Sequence, residues 1–106
     1  MKIIVKGKNY ECTKIVGRKY DKFCDVMHDI DTRQSESNTG FNKDDMALMR
    51  ELIVDLFDNK FTSDDLYDDL DVSELVFKFL EVQAEVESKL NNKIEKIQKN
   101  SASKKK

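Results

Sequence analysis

From Val72 to Lys99 the chain runs without a glycine or a proline, and good helix formers dominate the later half of that run. The feature forces a single long helix. Phe79, Val82, Val86, Leu90, Ile94 and Ile97 recur in five steps over eighteen residues, a mean of 3.6. That period fits a straight helix lying on a flat partner, because a supercoiled heptad seam repeats every 3.5 residues. At 1.5 Å per residue the helix is about 40 Å long. Residues 1–71 make too small a body to cover it, so the part beyond Glu87 is expected to project. The six stripe residues are the candidate partner-binding surface.

The preceding residues divide into shorter elements. "KIIVKGKNYECT" alternates as a β-hairpin, and with Gly7-Lys8 as the loop it pairs Val5 with Tyr10 and Ile3 with Cys12. Such a hairpin is marginal alone and needs helices or another chain beneath it. From Arg18, Tyr20, Phe23, Cys24, Met27 and Ile30 mark an amphipathic helix with Cys24 in its apolar stripe. "DTRQSESNTG", residues 31–40, is polar and aperiodic and reads as a loop. Asn42 suits an N-cap, with Asp44 and Asp45 in the first turn and Met46, Met49, Leu52, Ile53, Leu56 and Phe57 as the stripe of a second helix ending near Asn59. Thr62 with Asp65 resembles a capping box for a short helix from Ser63 to Leu70, with Leu66, Tyr67 and Leu70 apolar. Asp71 with Glu74 repeats the start signal. The fold class is therefore mainly α with a small N-terminal β-hairpin: a compact helical domain plus a long C-terminal helix. Residues 1–100 form one domain, with the hairpin in 1–14, and 101–106 are expected as a disordered Lys-rich tail.

Charge is segregated along the chain. Residues 1–23 carry seven basic and two acidic side chains, residues 24–87 five and eighteen, and residues 88–106 seven and one. Contacts between oppositely charged segments, or between neighbouring copies, follow naturally from such a distribution; solvated acidic helix faces give the same counts. A nucleic-acid interface would have to overcome the acidic middle. The reverse idea, a small acidic regulatory or DNA-mimicking binder, is the rival reading. Reactive chemistry finds little support. From Asp58 onward the calcium-loop pattern fails at its glycine and at two ligand positions. His28 stands four residues after Cys24, but a buried stripe cysteine is inert. The three glycines are scattered, so no phosphate loop exists. No enzyme, cofactor or metal site is expected. No apolar run reaches the roughly 20 residues of a membrane span, the N-terminal residues lack a secretory h-region, and two cysteines make a poor disulfide framework. Reduced thiols in a cytoplasmic setting, with neither membrane nor nucleic acid as partner, are the expectation.

The hairpin "KIIVKGKNYECTKI", the polar loop and above all "LIVDLFDNKFTSDDLYDDLDVSEL" resemble tail assembly chaperones of long-tailed, siphovirus-type bacteriophages. The likeness spans most of residues 1–90, and its most telling part runs from Phe57 through Asn59, Phe61 and Thr62 to Leu66. The resemblance implies a mainly helical protein that binds the tape measure protein, keeps it soluble, promotes tail tube assembly in the host cell cytoplasm and is absent from the mature virion. Self-association is implied as well. Many members also make a longer frameshifted product that contacts the tail tube protein, and the A-rich codons of the final "KKK" are one place for such a shift. Met27, Met46 and Met49 offer adaptable packing, for a client or for the chain's own core.

Overall fold

The computed structural model describes residues 1–37 and 40–105, with side chains described for 1–36 and 40–90. Two strands, β1 (Lys2–Val5) and β2 (Lys8–Glu11), precede four helices, α1 (Gly17–Ser37), α2 (Lys43–Leu56), α3 (Ser63–Asp69) and α4 (Val72–Lys105). The expected mainly helical architecture with a small hairpin and a long last helix is what forms. The Lys-rich segment expected as a separate tail falls largely inside α4 as bounded, and its side chains lie outside the described residues. The longest dimension of the molecule is 55 Å, close to the roughly 50 Å that a helix of α4's length occupies.

The hairpin differs from expectation in its register. Ile3 pairs with Tyr10 and Val5 with Lys8, so the loop is Lys6-Gly7, not Gly7-Lys8. Both loop residues have positive φ, 50° and 79°, as a type I′ turn requires. The cause lies far along the chain. The Lys6 backbone N–H donates to Asp69 Oδ2 at 2.9 Å and its ammonium pairs with Asp65 at 3.0 Å, so α3 grips the turn. A two-residue slip preserves the alternation, and the inward face still carries Ile3, Val5 and Cys12.

α1 also departs from its expected outline. It continues through residues 31–37, which were expected as loop. Arg33 explains the extension: its guanidinium lies 3.4 Å from Asp45 and 3.6 Å from Asp44 at the start of α2. The buried face of α1 is Lys19, Phe23, Val26 and Ile30, while Cys24 is exposed and Tyr20 is 37% exposed. The face is rotated from the apolar stripe because Lys19 belongs to it. Its stem is buried, and its ammonium pairs with Asp58 at 3.0 Å and lies 3.9 Å from the Cys12 thiol.

The helix starts form as their sequences dictate. At α2, Asn42 Oδ1 accepts the Asp45 N–H while Asp45 accepts the Asn42 N–H; Thr62 and Asp65 do the same at α3. At α4, Asp71 accepts the Glu74 N–H and Glu74 accepts the Asp71 N–H. α2 ends through two successive residues of positive φ, Asp58 and Asn59. Phe57 and Phe61, which flank that corner, are buried with centroids 5.8 Å apart. α2 is the central element: Met49, Leu52, Ile53 and Leu56 are fully covered by the surrounding hairpin and helices.

Candidate partner-binding surface

α4 has two apolar faces, and the sequence stripe is the inner one. Leu75, Phe79, Val82 and Val86 are buried in one cluster with the α2 residues. Phe79, Val82 and Val86, expected to meet a partner, are thus the chain's own core, because α2 and its neighbours cover more of α4 than the short body suggested. Leu90 is 41% exposed. The side chains of Ile94 and Ile97 lie outside the described residues.

The outer face of α4 holds what the stripe argument missed. Phe77 is 66% exposed and Leu80 is 50% exposed, one helical turn apart, with Val72 exposed at the helix start. Scattered single apolar residues on a surface need no explanation, and it is the adjacency of a large aromatic and a leucine on one helix face that makes this a candidate contact surface. The signal was present in the sequence as an apolar i, i+3 pair off the main period. Lys78, between these two residues, donates to the Lys2 carbonyl at 3.0 Å and pairs with Glu81 at 2.7 Å, which fixes this part of α4 against β1.

A second feature lies further along the helix. Where the linker after β2 and the start of α1 approach α4, an open cleft of ≈ 570 Å³ forms, walled by Ile15, Tyr20, Val86 and Leu90, with Lys14 and Lys89 also lining it. Lys89 is held over it, donating to the Thr13 carbonyl at 3.4 Å. The neighbouring Cys24, then loss of solvent and the Asp21 carboxylate, raise the Tyr20 phenol above its usual range. The cleft is apolar within, with Lys14 at its edge and Lys89 beside it, the latter 3.9 Å from the Glu85 carboxylate. No acidic residue occupies the first turn of α1, which starts beside it.

The acidic stretch occupies the other end of the covered part of α4. Most of its carboxylates have structural partners. The Thr62 backbone N–H and the Lys6 ammonium hold Asp65 below the usual carboxylate range. The Glu74 N–H and the Ser73 hydroxyl do so for Asp71, and the Lys19 ammonium for Asp58. Asp64 and Asp68 are exposed. Between them in sequence, Tyr67, one of the three apolar positions of the short helix, is 67% exposed. The Arg50 guanidinium sits 4.8 Å from its ring centroid and covers one side. Among the described residues no group of three or more His, Cys, Asp or Glu side chains converges as metal ligands would, and no helix is long and apolar enough to cross a membrane. His28 and Cys24 both stand on the exposed side of α1.

The surfaces are therefore apolar faces with charged margins. A family model described as phage tail chaperone protein matches residues 1–105. No curated protein and no solved structure matches the chain. The chain belongs to the phage tail chaperone protein family.

Proposed function

We propose, with that membership as the premise, that the protein is a non-enzymatic tail assembly chaperone that binds the tape measure protein. It keeps this client soluble and promotes assembly of the tail tube in the host cell cytoplasm, and it is left out of the finished virion. The carrying observation is the outer face of α4, where Phe77 and Leu80 stand exposed on a helix whose inner face is buried and whose Lys78 is tied to β1. An amphipathic client helix docks on such a face through apolar anchors three and four residues apart. Ile94 and Ile97, from the apolar stripe of the sequence, are included in the proposal as client-binding residues. Self-association and a longer frameshifted product contacting the tube protein belong to the same proposal.

Co-expression tests it. The tape measure protein, insoluble alone, is expected to stay soluble and to co-purify with the wild-type chain. Phe77→Asp with Leu80→Asp is expected to lose most of that effect while the thermal melt of the free chaperone is unchanged. A tape measure protein that is neither bound nor solubilised by the wild type rejects the reading.

A further inference from the structure

Two surface features share one chemistry with opposite sign. The cleft is apolar inside with Lys14 and Lys89 at its edge, and the outward face of α3 presents the Tyr67 ring with two exposed carboxylates, Asp64 and Asp68, beside it. We propose that the cleft of one copy receives the outward face of α3 from a second copy, with Tyr67 entering between Ile15, Tyr20, Val86 and Leu90 and the two aspartates meeting Lys14 and Lys89.

Several observations support the second copy as occupant. Tyr67 is an amphipathic anchor of the kind that carries interface energy, and Arg50 against one side of its ring limits its motion before binding. The cleft volume, ≈ 570 Å³, lies within the range of about 300–1,000 Å³ found for pockets that enclose a ligand-sized group. Apolar contact supplies the attraction, and the charges fix orientation and speed encounter. Asp65 and Asp69, in contrast, are taken up by Lys6 within the chain, so the exposed pair is the part of α3 left for another molecule.

The two halves of this contact cannot meet within one molecule. α3 abuts the start of α4, whereas the cleft lies opposite Val86 and Leu90, about 25 Å further along the helix axis. Two copies can exchange the contact reciprocally about a two-fold axis, or it can run head to tail from copy to copy. It rests on the self-association proposed above but uses a different surface from Phe77 and Leu80, so it and client binding can fail separately.

The test is charge reversal followed by mixing, read by sedimentation over a concentration series. The wild-type chain is expected to gain mass with concentration at low ionic strength and to lose it as salt screens the pairs. Lys14→Glu with Lys89→Glu, and separately Asp64→Lys with Asp68→Lys, are each expected to sediment as monomers with wild-type circular dichroism. Mixing the two in equal amounts is expected to restore association, because each cleft then faces an α3 of opposite sign. Tyr67→Ser, a change at an exposed position, is expected to abolish association without a charge change and serves if a double variant melts early. A wild type that stays monomeric throughout overturns the proposal, as do variants that associate like the wild type or a folded mixture that does not recover. Retained self-association in the cleft variant, together with loss of tape measure solubility, also overturns it and assigns the cleft to the client.

Discussion

The two cysteines show how much a single position can mislead. Cys24 shares the spacing of Phe23, Met27 and Ile30, yet it is exposed, and Cys12 at the hairpin end is the buried one. The face of α1 turned inward is set by Lys19 and Val26, and a lysine in a core stripe is invisible to an apolar period. Only the fold shows that Asp58, at the far end of α2, meets its ammonium. The thiols give a direct check. In the folded protein one equivalent of a colourless aromatic disulfide reagent is expected to react promptly, at Cys24, and the second only after denaturant exposes Cys12. Two fast equivalents would place both on the surface. Lys6 carries the same lesson, since a contact with Asp69, from the far side of α2 and α3, selects the turn and hence the register.

Helix starts were legible because capping is local chemistry. Asn42 with Asp45, Thr62 with Asp65 and Asp71 with Glu74 each complete their bonds within four residues, so the sequence contains both partners side by side. The end of α1 was not legible, because the pairs that hold residues 31–37 helical reach across to α2. The caps make two expectations. Thr62→Ala is expected to lower unfolding free energy by about 1 kcal/mol in denaturant melts, with α3 loosening its hold on the hairpin turn. Acid should act through the same sites. Asp58, Asp65 and Asp71 have folded pKa values below their ordinary value of 3.8. Their stabilising contribution is then fully present above about pH 4 and fades as pH falls through the lower folded values. A pH series of thermal melts should show this decline on the acid side. Asp65→Asn should flatten it, because that group no longer titrates.

At the scale of the whole molecule, the long helix was read correctly as an element and only in part as a surface. Its period identifies the face that needs covering, but not how much of that covering the chain itself supplies. α2, which looked like one helix among several, occupies the centre and hides Phe79, Val82 and Val86. Two phenylalanines two residues apart separate the roles. Phe79→Ala is expected to cost about 3–5 kcal/mol of stability, whereas Phe77→Ala should change it by no more than about 0.5 kcal/mol and weaken client solubilisation instead. Equal effects on melting would place both in the core. The separation of the acidic α3 and the basic cleft along α4 has a consequence for stoichiometry. Where the proposed contact runs head to tail instead of closing on itself, it sets no copy number of its own, and the number of subunits in a row is then limited by what they line up on. On a rod-shaped client that number would be a readout of the rod's length, rising in proportion when the rod is extended and falling when it is trimmed.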